Sequence, residues 1–175
     1  MKQHIIICLF IISTFAISRG QDAGEETAEY SNNSWGIGFG IPYGILGVNA
    51  DYNIISDLNV SFGLGTTIFA GVGYNIGFKY FITAKENSFR PRVLAFYGIN
   101  SMSLIGDEGE SYTGFSIGAG FQWMWGQSKT NGLDFDIIYI ATTGYDVDEL
   151  RAKYPQYQIE ELGRVKISIG YRHIF

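Results

Sequence analysis

The sequence predicts an all-β chain closed into an eight-stranded antiparallel transmembrane barrel, and three observations carry that prediction. The last ten residues alternate strictly: Ile167, Ile169, Tyr171, His173 and Phe175 share one parity, and Lys166, Ser168, Gly170, Arg172 and Ile174 share the other. Period two over that length is a strand with one apolar, aromatic face and one mostly polar or tiny face. The same alternation recurs in seven further segments at regular spacing, with no long helical period, which indicates a barrel or a sandwich. The faces opposite the large apolar residues carry Gly, Asn, Ser and Asp, with few of the Lys and Glu that coat a solvated surface. Small and polar side chains suit the inside of a narrow eight-stranded cylinder, which turns the large apolar ones outward to lipid.

In chain order, residues 1–20 read as a signal peptide. Lys2 is its basic start, residues 5–17 its apolar run, and Ser18 and Gly20 the small residues of a cleavage site. The run falls short of the ~20 residues a helical span requires. Cys8, the only cysteine, lies in that run, so the exported chain has no disulfide, thiolate zinc site or thiol nucleophile. Removing Lys2 and Arg19 leaves ten cations against seventeen acids, a net charge of −7 that argues against a nucleic-acid partner. Residues 21–33, with Asp22, Glu25, Glu26 and Glu29, form an acidic leader. Glycine is abundant, at 23 of 175 residues, but it alternates with large apolar residues as in strands, not as in a low-complexity tract.

The strand domain occupies 34–175. Segment 34–41 sets Trp35, Ile37 and Phe39 against Gly36, Gly38 and Gly40; 45–54 sets Leu46, Val48, Ala50 and Tyr52 against Gly47, Asn49, Asp51 and Asn53. Segment 58–68 sets Val60, Phe62 and Leu64 against Asn59, Ser61, Gly63 and Gly65; 72–82 sets Tyr74, Ile76, Phe78 and Tyr80 against Gly73, Asn75, Gly77 and Lys79. In 91–101 the outward set is Val93, Ala95, Tyr97 and Ile99, because Arg90 and Arg92 share the other parity. Segment 112–125 turns Phe115, Ile117, Trp123 and Trp125 outward; 133–141 sets Leu133, Phe135, Ile137 and Tyr139 against Asp134, Asp136, Ile138 and Ile140; the eighth strand begins near Arg164. Aromatic residues gather toward the strand ends: Trp35, Tyr52, Tyr80, Trp123 and Trp125 toward one rim, and Tyr43, Phe69, Tyr97, Tyr112 and Tyr139 toward the other, as in two interfacial girdles.

The terminal stretch resembles the C-terminal assembly signal of bacterial outer-membrane β-barrel proteins, through Ser168, Gly170 and the terminal aromatic Phe175; His173 departs from it, a hydrophobic residue being usual there. With strand count, parity and leader, residues 34–175 resemble the small outer-membrane β-barrel family of the OmpA-like, eight-stranded type. The resemblance implies location in the outer membrane, contact with its lipid and lipopolysaccharide, insertion by the barrel-assembly machinery, and roles from surface structure to adhesion. It also implies periplasmic termini. The periplasmic turns are then 55–57, 83–90 and 126–132. The outer loops are 42–44, 69–71, 102–111 and 142–163. In the last, Asp146 and Glu149 have capping-box spacing and Pro155 stops a helix, which predicts a short helix over 147–154.

Catalysis finds no support in the inventory. After signal removal His173 is the only histidine, on the lipid-facing parity near the periplasmic end, with no Ser–Asp pair beside it. The Gly-x-Gly run from Gly36 to Gly40 leads into no helix and so is no phosphate loop, and the sequence calls for no cofactor or metal. Asp107, Glu108 and Glu110 read as a solvated acidic loop, since a calcium site needs a defined set of oxygens. The inward charges Asp51, Lys79, Arg92, Asp134, Asp136 and Arg172 must pair if buried, and they predict an internal salt-bridge plug, with Asp134 almost opposite Arg172. The function that follows is a side-chain-filled outer-membrane barrel with a structural or surface-interaction role. The alternatives are a small channel or secretion-accessory barrel, and a soluble lipocalin-like carrier.

Overall fold

The computed structural model describes residues 33–84, 86–106 and 108–175. The expected signal peptide, the leader up to residue 32 and Asp107 lie outside the described residues. Eight strands, β1 Ser34–Gly40, β2 Ile45–Ile55, β3 Leu58–Thr66, β4 Val72–Phe81, β5 Phe89–Ile105, β6 Glu108–Trp125, β7 Asn131–Ile140 and β8 Val165–Ile174, close in sequence order into one antiparallel barrel. Closure is by β1 against β8, from Ser34↔Ile174 to Phe39↔Ile169. One helix, α1 Val147–Lys153, lies between β7 and β8, and Asp146 caps it by accepting from the amides of Asp148 and Glu149. Among the described residues no helix is long and apolar enough to cross a membrane, which says nothing of strands.

The alternation read from the sequence sorts the two faces. Ile37, Phe62, Ile76, Ile137 and Ile169 are each about half exposed on the outside, whereas Asn49, Ser61, Lys79, Arg92, Asp134 and Arg172 are buried inside. A water-soluble domain has the opposite arrangement, because exposed apolar surface is unfavourable in water.

Four expectations are corrected. The loop expected over 102–111 is mostly strand: β5 and β6 continue past the barrel as a hairpin, pairing Met102↔Ser111, Leu104↔Gly109 and Ile105↔Glu108. Ile99, expected to point outward, is buried, because the register shifts between Ile99 and Ser101 and an extra residue reverses the parity. The residues 42–44 make no outer loop. After Gly40 the chain makes a 3-10 turn, Ile41–Tyr43, whose residues are all buried. Tyr43 therefore leaves the outer aromatic girdle and stands in the lumen, fully buried. Finally, Arg172 pairs with Gly132 and Asp134 with Gly170, so the two charges sit diagonally, two residues out of the expected register.

Candidate functional site

Among the described residues, buried charge gathers in the lumen. Burial in a cylinder of small residues forces the inward charges of β2, β4, β5, β7 and β8 to satisfy one another, and they form an alternating chain. Lys79 Nζ lies 2.9 Å from Asp51 Oδ2. That same oxygen lies 2.9 Å from Arg172 Nη1. Arg172 Nη2 reaches Asp134 Oδ2 at 2.6 Å, Asp134 Oδ1 takes Arg92 Nη1 at 3.0 Å, and Arg92 Nη2 ends on Asp136 Oδ2 at 2.9 Å. Arg92 grips Asp136 with both Nε and Nη2, a bidentate geometry that only a guanidinium supplies. Asp51 also accepts from Ser61 Oγ at 2.7 Å, and Lys79 donates to Asn49 Oδ1 at 3.2 Å. All six charged residues singled out in the sequence are in this chain.

The sequence reading did not assign several participants. Tyr43 Oη donates to Asp134 Oδ2 at 3.0 Å, so the inturned β1–β2 turn is tied to the middle of the charge chain. The turn is held from beside as well, as Asn49 Nδ2 donates to the Pro42 carbonyl at 3.0 Å. Its passage needs a barrel wall without Cβ atoms. A Cβ on Gly63 would lie 2.2 Å from the Pro42 carbonyl oxygen, one on Gly73 2.1 Å from the Gly44 carbonyl oxygen, and one on Gly170 2.2 Å from Tyr43 Oη. The inward glycines of β3, β4 and β8 are the signal that marked this turn. Beside it, Ile41 packs into an apolar cluster with Leu94, Phe96, Ile138 and Ile140. The lumen is thus sealed twice, by paired charges and by the packed turn.

Arg90 is the second unassigned participant. It is buried with its guanidinium carbon 4.0 Å over the Phe81 ring. Nη1 reaches Gln122 Oε1 at 3.5 Å, and Nε and Nη2 have no partner among the described residues. It is a fourth buried cation beside three buried aspartates.

The assembly-signal positions fall on both faces. Ser168 and Gly170 point inward, where Ser168 is fully buried and Gly170 meets the Tyr43 ring, and Phe175 is exposed at the end of the barrel that carries Asn33. His173 stands at that same rim, with Nδ1 2.9 Å from Asn131 Oδ1 and its ring 5.8 Å from that of Trp35. Tyr171 Oη donates to the same Asn131 oxygen at 2.5 Å. These aromatic rings gather around one polar anchor, Asn131.

At the opposite end, the protruding β5–β6 hairpin and the 141–164 connection form a head. Glu110 accepts from Tyr112 Oη at 2.7 Å and pairs with Lys153 of α1 at 3.2 Å. Hydrogen bonds to Tyr154 and Glu110 hold the Lys153 ammonium above its ordinary pKa. Leu150 and Ile159 are buried beneath the connection, and Arg151 ties it by donating to the Ile159 carbonyl at 3.0 Å. Among the described residues no three His, Cys, Asp or Glu side chains are grouped to hold a metal ion.

The chain has the fold of a known β-barrel domain. It is similar to the N-terminal β-barrel domain of Pseudomonas aeruginosa OprF, with a TM-score of 0.52 over 84% of this chain and 100% of that domain, at 15% sequence identity. No protein-family model and no curated protein sequence matches it.

Proposed function

We propose that this chain is an integral outer-membrane β-barrel protein with a sealed interior, whose role is structural and which presents its head at the cell surface. One observation carries the reading: charge is buried and apolar surface is exposed. Lys79, Arg92, Asp134, Asp136 and Arg172 are almost completely inaccessible, while Trp35, Phe62, Tyr80, Trp123 and Ile169 stand half exposed outside. Hydrocarbon is the solvent for which that arrangement is stable, and a closed barrel leaves no unpaired strand edge within it. The predicted signal peptide and the resemblance of Ser168, Gly170 and Phe175 to an assembly signal support insertion by the barrel-assembly machinery into a membrane of lipid and lipopolysaccharide. Among the described residues no group in the head or lumen has the arrangement of a nucleophile with its base, and the reading is of a non-enzymatic protein.

The filled lumen favours this reading over a channel, and the apolar outer face favours it over a soluble carrier. Two measurements test it together. The detergent-extracted protein is expected to migrate faster on SDS gels before boiling than after, and to give no single-channel steps in planar bilayers. Recovery in the soluble periplasmic fraction would restore the carrier, and stable conductance from the unmodified protein would restore the channel.

A further inference from the structure

The head holds a small polar cavity that a purely structural role does not use. It lies between the β5–β6 hairpin and the 141–164 connection, beside the end of β7, and measures about 180 Å³. Sites for drug-sized ligands have roughly 300–1,000 Å³, so this one suits a molecule of a few non-hydrogen atoms. Ser101 lines it from the hairpin, and Thr143, Tyr145, Glu161 and Arg164 line it from the connection. Ile140 and Leu162 add apolar surface.

Which ligand atoms this wall takes follows from where its protons go. A hydroxyl has one proton to donate. Thr143 Oγ1 donates to Ser101 Oγ at 3.2 Å, and Ser101 Oγ donates in turn to Asn100 Oδ1 at 3.2 Å. The Tyr145 hydroxyl donates to the Glu160 carbonyl at 2.8 Å. All three protons are therefore used within the protein. Ser101 Oγ accepts from Thr143, and Thr143 Oγ1 accepts from the Tyr145 amide at 3.2 Å, which leaves each oxygen a second lone pair. The hydroxyl wall accepts and does not donate, so a group docked on it must bring donors. The charges at the cavity add one of each sign. The ion pairs of the head are Arg151–Asp148 and Lys153–Glu110. Among the described residues Glu161 and Arg164 stand in no ion pair. One carboxylate and one guanidinium are thus left at the cavity, with no net charge.

We propose that this cavity binds a small zwitterion, an α-amino acid with a short side chain, whose ammonium sits on Ser101, Thr143 and Glu161 and whose carboxylate takes Arg164. An ammonium has three donors and no acceptor, the complement of the hydroxyl wall and Glu161. The aromatic Tyr145 beside it favours a cation further. A guanidinium matches a carboxylate with two parallel hydrogen bonds. Ile140 and Leu162 give a short alkyl side chain an apolar wall. A ligand with only the positive charge meets Arg164 without a partner for it, and one with only the negative charge meets Glu161 and a wall that cannot donate. The inference goes beyond the structural role, and it rests on the surface-presenting reading for the cavity's access from the medium.

The test uses the full chain folded in lipid nanodiscs, with the amide NMR signals of Thr143 and Tyr145 followed during titration. L-alanine is expected to shift both signals saturably. L-alaninamide lacks the carboxylate, and L-lactate has a hydroxyl in place of the ammonium; each is expected to bind about tenfold or more weakly, as loss of a charged hydrogen bond implies. Glu161 and Arg164 are exposed, so Glu161→Gln and Arg164→Gln are expected to keep heat-modifiable migration while each weakens L-alanine binding about tenfold. Alaninamide binding as tightly as alanine would reduce the cavity to a cation site and overturn the proposal. Lactate binding as tightly as alanine would make it an anion site and overturn it too, as would unchanged affinity in either variant. A heat-modifiable barrel with no saturable response to L-alanine would overturn the site and leave the membrane reading standing. Loss of heat-modifiable migration in the unmodified chain would overturn that reading, and the site's access from the medium with it.

Discussion

At the scale of single residues, the consequence of the charge chain is that its members are not equivalent. Arg172 bridges two carboxylates, Asp134 at 2.6 Å and Asp51 at 2.9 Å. Arg172→Ala leaves both aspartates short of a cation in a place water reaches poorly, and breaking a buried pair from one side costs on the order of 3–5 kcal/mol. Urea unfolding of the protein in lipid vesicles is expected to show that loss, with a smaller further loss when Asp134→Ala is added. Strictly additive losses in that cycle would count against the contact. Arg90 is expected to behave in the opposite way. Among the described residues no carboxylate is in ion-pair contact with it, and two of its nitrogens lack a partner. Arg90→Met keeps the packing over Phe81 and removes the cost of an uncompensated buried cation, so unfolding is expected to be unchanged or shifted to higher urea. A destabilisation comparable to that of Arg172→Ala would show that Arg90 has a carboxylate partner in the membrane-embedded protein.

At the scale of elements, the β1–β2 turn and the strands around it must be read together. Gly170 of β8 is small because the Tyr43 ring fills the space its side chain would take. Gly170→Ala is therefore expected to lower folding yield and stability, since a Cβ 2.2 Å from Tyr43 Oη cannot be accommodated without displacing the turn. Combining it with Tyr43→Ala is expected to restore part of what each change loses alone, a non-additivity measurable in the same unfolding assay. This turn also marks where sequence reasoning stopped. The strands and their faces were legible because a period of two, once begun, sorts every residue of a strand, and a filled lumen on one face makes that sorting strict. The inward charges were legible because buried carboxylates and cations must be compensated, and those on that parity have one another as oppositely charged partners. Ile41, Pro42, Tyr43 and Gly44 read as an ordinary reversal, since nothing in four residues says whether a turn points out to water or back into the lumen. The available signal was non-local: Gly38, Gly47, Gly63, Gly65, Gly73 and Gly170 clear more space than the polar side chains alone require. The bulge at Ile99 and the length of the β5–β6 hairpin were hidden for a related reason. Both depend on which partner residue a strand meets, and a single strand's alternation does not contain its register.

At the scale of the whole molecule, the two ends of the barrel are chemically distinct, which allows its orientation to be tested. One end gathers Asn33, Phe175 and the short connections 56–57, 82–88 and 126–130; the other has the protruding hairpin and the longest connection, 141–164. Cleavable cations are present at both. Arg151, Lys153 and Arg164 are exposed in the long connection, and Lys129 lies in a short turn at the far end, where it contacts the Glu86 carbonyl. In the proposed orientation only the first three face the medium. Trypsin added to intact cells is expected to cut within 151–164, preferentially there because that connection is held by a single short helix and a few hydrogen bonds, whereas the strands are protected by their ladders. Cutting at Lys129 is expected only after the outer membrane is permeabilised. The fragments are distinguishable by mass, and the barrel should remain heat-modifiable after the first cut, because the nick leaves every strand and the full charge chain in place. Cleavage at Lys129 in intact cells, with 151–164 protected, would invert the orientation and remove the head from the cell surface.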